Sequence, residues 1–173
     1  MFQPIYNQEL RRKKNYKYSD LGFYLLANLV ETVTGKDLDT YTQEHFYRPM
    51  GLHTLMFNPL AKGVEKETII PTEMDNYFRY QKIQGDVHDM GAGMMRGVSG
   101  HAGLFSNAQD LSAIYQMLIN GGEYGGKRYL KAATVQQFTA QFSQDSRRGI
   151  GFDRKELLRL LLGEPDMKLL GQF

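Results

Sequence analysis

Tyr18-Ser19-Asp20 is the first place in this chain where neighbouring side chains could do acid–base chemistry. The tripeptide follows the polar stretch Lys13 to Lys17 and precedes a long apolar run that starts at Leu21, so it falls at the start of a helix. Free backbone N–H groups and the positive end of the helix dipole favour anionic forms there. A tyrosine, whose ordinary pKa is ~10, needs such help, usually with a cation nearby, to act as a base near neutral pH. Taken alone, the same three residues also describe a packing tyrosine in front of a capped helix.

Metal chemistry is the natural rival. The four histidines are His45, His53, His88 and His101, with Asp86 and Asp89 flanking His88. No pair has the His-x-x-x-His spacing of a helical zinc site, and solvent-facing or hydrogen-bonded histidines are the simpler expectation. The glycines from Gly91 to Gly103 include no phosphate-loop Lys-Ser/Thr and no Gly-x-Gly-x-x-Gly before a helix, so nucleotide binding has no motif behind it. Met90, Met94 and Met95 are expected to fill core or loop. Neither a cofactor nor a metal is expected.

Composition narrows the classes further. The formal net charge of +2 is too small to argue for a nucleic-acid partner. Arg11-Arg12-Lys13-Lys14 is a local basic run, expected to be a solvated stretch before a helix. No cysteine is present, which excludes disulfides and thiolate catalysis. No segment reaches the ~20 apolar residues of a membrane span, and the N-terminus has no apolar signal-peptide core.

The elements that must position Tyr18 and Asp20 can be placed from periodicity. Leu21, Leu25 and Leu29 form one row and Leu26, Val30 and Val33 the next, with Phe23 and Tyr24 widening the stripe. This predicts a helix that is apolar over much of its surface and buried, capped by Ser19 or Asp20 and ended by Gly35. A second helix is expected from Leu38 to Tyr47, capped by Asp37 and stopped by Pro49. Ile69-Ile70-Pro71 and Gln84 to His88 could be short strands, followed by a long glycine-punctuated loop from Gly91 to Gly103. A third helix is expected from Ala108 to Asn120, with Ser106 and Gln109 as capping box and Leu111, Ile114, Tyr115 and Leu118 facing inward. Tyr124 to Lys127 reads as a hairpin turn, and Ala132 to Gln141 as a short helix. The pattern is α+β and helix-rich, not all-β.

Several ordered blocks together are more specific than any one of them. Tyr18-Ser19-Asp20-Leu21-Gly22-Phe23, Val33-Thr34-Gly35-Lys36, and Arg48-Pro49-Met50-Gly51-Leu52 come first. Gly100-His101-Ala102-Gly103-Leu104-Phe105-Ser106, running through Asp110-Leu111 to Gly121-Gly122, comes next, and Gly149-Ile150-Gly151-Phe152 last. The series resembles the serine β-lactamase and penicillin-binding-protein superfamily, closest to its class C and esterase-like branch. The likeness is collinear from about Leu10 to Phe152, less than half of a complete family domain, and residues 153–173 are unassigned. It implies a helix-rich fragment of the β-lactamase/transpeptidase-like fold, with residues 1–173 forming a partial domain.

What the resemblance implies is acyl transfer to a small-molecule or peptide substrate through a serine ester. The family's Ser-x-x-Lys motif supplies nucleophile and lysine, a Tyr-x-Asn motif relays the proton, and a Lys/His-Thr/Ser-Gly strand lines the far side. Tyr18 matches the tyrosine, and Asp20 stands where Asn is usual. An Asn offers N–H donors to a substrate carbonyl, whereas an ionised Asp only accepts. None of Ser19, Ser99, Ser106, Ser112, Ser143 and Ser146 is followed by Lys at the third position. Gly97-Val98-Ser99-Gly100 is not a nucleophile elbow, because His101 stands where that motif needs Gly. No Lys-Thr-Gly or His-Thr-Gly follows Phe152. The expected site residues are therefore Tyr18 and Asp20, in a chain whose nucleophile lies outside it and whose parent is exported to the periplasm or cell envelope. The alternative is a non-catalytic binding or structural module of the same fold. An isolated chain with so apolar a first helix is expected to self-associate through that helix or through Leu157 to Leu162.

Overall fold

The computed structural model describes Asn7, Glu9 and residues 17–141, 148–150 and 152–153. The basic run at Arg11 to Lys14 and the apolar segment Leu157 to Leu162 lie outside them. The architecture is α+β. Helix α1 (Leu21–Thr34) is followed by α2 (Leu38–Thr42), α3 (Met90–Met94), α4 (Ala108–Ile119) and α5 (Ala132–Thr139). Among the described residues the strands pair as three short antiparallel ladders. These are β1 (Met56–Phe57) with β4 (Leu104–Phe105), β2 (Glu73–Asp75) with β3 (Gln81–Ile83), and β5 (Glu123–Tyr124) with β6 (Lys127–Arg128).

Helix α1 ends as expected at Gly35, whose left-handed backbone lets its N–H bond the Glu31 carbonyl. Its start is looser than expected. Ser19 Oγ accepts from the Leu21 N–H at 3.3 Å, while the Asp20 side chain makes no capping hydrogen bond. The expectation of burial is corrected. Only Ala27 is fully buried, and Leu26, Leu29 and Val33 are 48%, 53% and 75% exposed. An apolar stripe is therefore left uncovered along much of this helix.

Asp37 caps α2 by accepting from Thr40 N at 2.8 Å. The helical path then passes through a π turn over Gln43–Tyr47 and a 3-10 turn over Arg48–Met50. Pro49 does not stop the path, contrary to expectation. It sits in the first turn of the 3-10 segment, where a missing N–H removes no bond, and Gly51 ends it instead.

The central stretch differs most from its reading. Neither Ile69 to Pro71 nor Gln84 to His88 is a strand; the ladder lies between them, pairing Glu73 with Ile83 and Asp75 with Gln81. Gln84 instead turns its amide to the Lys66 and Ile69 carbonyls. The glycine-punctuated loop contains α3, which Asp89 caps by accepting from Ala92 N at 2.7 Å. Leu104-Phe105, just after that loop and given no element from the sequence, is a strand edge on Met56-Phe57.

Helix α4 is capped by Asn107 through Asp110 N, not by a Ser106–Gln109 box, since Ser106 Oγ turns to the Asn107 carbonyl. Its buried positions are Ala113 and Met117, with Ile114 and Leu118 beside them and Tyr115 exposed. Leu111, Ile114 and Leu118 are partly buried as expected, Tyr115 is not, and Ala113 and Met117 are the fully covered positions. Met50, Leu52, Leu55, Ala113 and Met117 form the apolar cluster, with Tyr47, Tyr124, Tyr129 and Leu130 packed around it. Asp110 ties this cluster to the chain before β1 by accepting from both N and Oγ1 of Thr54 at 2.7 Å. The β5–β6 hairpin turns at Gly125-Gly126 and α5 follows, both as expected.

Candidate active site

Tyr18 lies three residues before α1, half exposed, with its ring 6.3 Å from that of Phe23. The guanidinium of Arg148, just before the Gly149-Ile150-Gly151-Phe152 block, sits 4.7 Å over the Tyr18 ring. Helix α5 holds Ile150 of that block. Ile150 N donates to the Phe138 carbonyl at 2.9 Å, and Gly149 N donates to the Phe152 carbonyl at 2.9 Å. A cation over the face of a tyrosine is attracted to the ring and would stabilise its anion. Asp20 begins α1 through its carbonyl, which accepts from Phe23 N and Tyr24 N. Its carboxylate is not spent on the helix cap.

A second constellation lies beside α1. Ser99 Oγ is 2.9 Å from Nδ1 of His101, and His101 Nε2 is 2.8 Å from Oδ1 of Asp89. Ser99 and the His101 ring are buried, while Asp89 is partly exposed. Burial raises the Asp89 carboxyl, but the Ala92 N–H, the His101 hydrogen bond and charge, and the Gly91 N–H outweigh it, so Asp89 is held below the ordinary carboxylate range. An ionised Asp89 can only accept, so the His101 Nε2–H donates to it, while Nδ1 faces the Ser99 hydroxyl. Tyr24 of α1 meets the His101 ring edge to face, with centroids 4.6 Å apart. Burial, then the charges of Asp89 and Asp20, push the Tyr24 phenol up from its ordinary value.

The strands upstream set Asp89 in place. Asp75 accepts from the N–H groups of Tyr77, Phe78 and Arg79, which forms the turn between β2 and β3. Arg79 then donates to the carbonyls of Val87 and His88, fixing the two residues before Asp89. A cavity of about 520 Å³ runs along α1, lined by Phe23, Ala27 and Val30 on one side and by Ser99, His101 and Leu104 on the other.

The four histidines occupy separate settings. His45 stacks near Tyr41, His53 is exposed, and His88 pairs with Glu73 at 2.9 Å. Among the described residues no cluster of three or more His, Cys, Asp or Glu could hold a metal ion. Also among the described residues, no helix is long and apolar enough to cross a membrane. The sequence reading singled out Asp89 only as a neighbour of His88 and left Ser99 as a failed elbow. The spacing Ser99-x-His101 was the available signal, but nothing local to it says that Asp89 returns to meet the ring.

The profile of the Beta-lactamase family matches residues 4–156, and the chain belongs to that family. It is similar to a candidate D-alanyl-D-alanine carboxypeptidase of Escherichia coli strain K12, 42% identical over 146 residues, covering 78% of this chain and 34% of that protein. It is also similar to an N-acetylmuramyl-L-alanine amidase of Bacillus subtilis strain 168, 40% identical over 148 residues, covering 79% of this chain and 34% of that protein. The chain thus spans about a third of the length of these curated relatives. Among solved structures, the octameric penicillin-binding protein homologue from Pyrococcus abyssi superposes with a TM-score of 0.54 at 18% identity, over 73% of this chain and 26% of that one. These likenesses agree with the hydrolase-type fold that the ordered sequence blocks imply.

Proposed function

We propose that this chain is the helical part of a serine hydrolase that cleaves an amide or ester bond through an acyl-serine, in a longer protein that supplies the Ser-x-x-Lys nucleophile. In that reading Tyr18 relays the proton between nucleophile and leaving group, and Asp20 is its polar neighbour. The observation that supports it is the Arg148 guanidinium 4.7 Å from the centre of the Tyr18 ring, a cation beside the proposed relay that also faces the Asp153 carboxylate at 3.8 Å. The names of the relatives, one a candidate D-alanyl-D-alanine carboxypeptidase and one an N-acetylmuramyl-L-alanine amidase, favour a D-alanyl peptide or a muramyl amide as substrate. The uncovered stripe of α1 supports the further reading that the isolated chain associates with itself. The test is labelling of the longer protein with a fluorescent penicillin and a fluorophosphonate. The reading expects one covalent adduct on the serine of a Ser-x-x-Lys motif. No adduct with either probe, and no ester turnover, would leave a non-catalytic module of the same fold.

A further inference from the structure

The Asp89–His101–Ser99 series has the order of a nucleophile relay, yet its surroundings assign it other work. Ser99 is only 3% exposed. Asp89 uses the Oδ1 that faces His101 to cap α3 as well, accepting from Ala92 N at 2.7 Å and from His101 Nε2 at 2.8 Å. Both ring nitrogens of His101 are thereby committed to holding residues 89 and 99 at a fixed separation.

The same segment presses on the first turn of α1. The His101 ring lies at 87° to Tyr24, the fourth residue of that helix. Gly100 lies so close to the Phe23 carbonyl that a Cβ there would overlap it, and a Cβ on Gly91 would overlap the Tyr24 hydroxyl. The contacts therefore come from three points of the 89–103 segment onto two adjacent residues at the start of α1. Asp20 immediately precedes that turn and its carbonyl accepts from Phe23 N and Tyr24 N, so contacts on those two residues bear on the point from which Tyr18 departs.

We propose that His101 is a positioning residue: by bridging Asp89 and Ser99 it clamps the 89–103 segment onto the first turn of α1 and so holds Tyr18 and Asp20 in their working place. The inference rests on the reading of Tyr18 as proton relay. Removing the His101–Ser99 bond leaves the buried Ser99 hydroxyl without that partner, and removing the His101–Asp89 bond frees Asp89 from the ring while it keeps Ala92 N. A displacement of about 1 Å in a catalytic group is enough to slow a reaction ~100-fold.

The experiment has one arm that needs no activity. The longer protein is prepared with 3-fluorotyrosine at residue 18 alone and examined by fluorine NMR. His101→Phe should shift or split the Tyr18 line, and His101→Gln, which keeps a donor toward Asp89, should restore most of the original signal. Met117→Ala, in the apolar cluster on α4, should lower thermal stability and leave the line in place. Should His101→Phe not fold, Ser99→Ala removes one arm of the bridge and is expected to move the line in the same direction. An unmoved line in a folded His101→Phe or Ser99→Ala protein overturns the inference. The second arm uses the same longer protein once turnover is established. There His101→Phe should lower kcat about tenfold or more with KM changed less than about threefold, and His101→Gln should recover much of it. A drop in thermal stability with kcat unchanged also overturns it. A longer protein with no turnover at all would instead sink the proposed function, while the fluorine result would still judge the role of His101.

Discussion

Arg148 holds its guanidinium 4.7 Å from the centre of the Tyr18 ring, although the two residues stand near opposite ends of the described chain. The contact brings the Tyr-Ser-Asp start of α1 together with the Gly-Ile-Gly-Phe block through α5, whose Phe138 carbonyl receives Ile150 N. Two sequence blocks that resemble parts of one hydrolase site thus meet in space. A partly exposed cation–π contact contributes only about 0.5–1 kcal/mol to stability, so its interest is chemical more than structural.

The 173-residue chain, purified alone, should show no turnover of nitrocefin or a p-nitrophenyl ester above background, because no Ser-x-x-Lys is present to form an acyl-enzyme. Ser99→Ala is the informative comparison, since Ser99 is hydrogen-bonded to His101. Turnover that is abolished by Ser99→Ala would make the Asp89–His101–Ser99 series a nucleophile system and refute the reading given to it.

Asp20→Asn in the longer protein should move preference toward β-lactam or peptide-like amides. An Asn can donate to a substrate carbonyl where an ionised Asp can only accept. The expected change in relative kcat/KM is roughly tenfold, about 1.4 kcal/mol, the size of one polar contact. Identical preference across an ester, a peptide and a β-lactam would reduce Asp20 to the residue that begins α1.

Acid should destabilise the chain through two carboxylates. Asp75 and Asp89 are both held below the ordinary range; in each, burial acts upward and is overcome by backbone N–H donors, with Arg79 or His101 adding to them. A depressed folded-state pKa contributes stability that is fully present above the unfolded value of ~3.9 and is lost as pH falls through the folded value. The thermal midpoint should therefore fall steeply below about pH 4, and an Asp75→Asn, Asp89→Asn double variant should start lower and fall less. Tyr24 acts in the opposite sense: its raised phenol favours the fold below ~10, and that contribution is lost at higher pH. Parallel acid profiles for the parent chain and the double variant would contradict this account.

Sedimentation at tens of micromolar should show dimers or larger assemblies of the isolated chain. Leu26, Leu29 and Val33 leave an apolar stripe on α1, and stripes of that kind drive association. Charged replacements such as Leu29→Glu and Val33→Lys should restore a monomer. A compact monomer that unfolds cooperatively and binds no hydrophobic dye would show that the stripe is tolerated in water.

Legibility in the sequence followed the range of the forces involved. Helices α1, α4 and α5 and the Gly125-Gly126 turn were readable because periodicity and end residues act within a few positions. Pro49 misled because its effect depends on where in a turn it falls, and only the folded path shows the 3-10 segment Arg48–Met50 that contains it. The short strands and α3 depend on partners far along the chain, such as Met56 for Phe105, and no local pattern announces them. The proposal of Tyr18 and Asp20 as site residues comes from a resemblance carried by ordered blocks. The Arg148–Tyr18 contact and the Asp89–His101 bond were not legible, because each is made by residues whose neighbours in sequence say nothing of the meeting.

The central claim is that Tyr18 relays the proton in an acyl-serine reaction, and steady-state kinetics of Tyr18→Phe in the longer protein test it most directly. Phe keeps the ring under Arg148 and removes only the hydroxyl. The account predicts that kcat falls about 100-fold or more, in the range general acid–base catalysis contributes, with KM nearly unchanged and the acyl-enzyme forming correspondingly slowly. Wild-type kcat in a folded Tyr18→Phe protein would contradict it and leave Tyr18 as a packing residue in front of a helix.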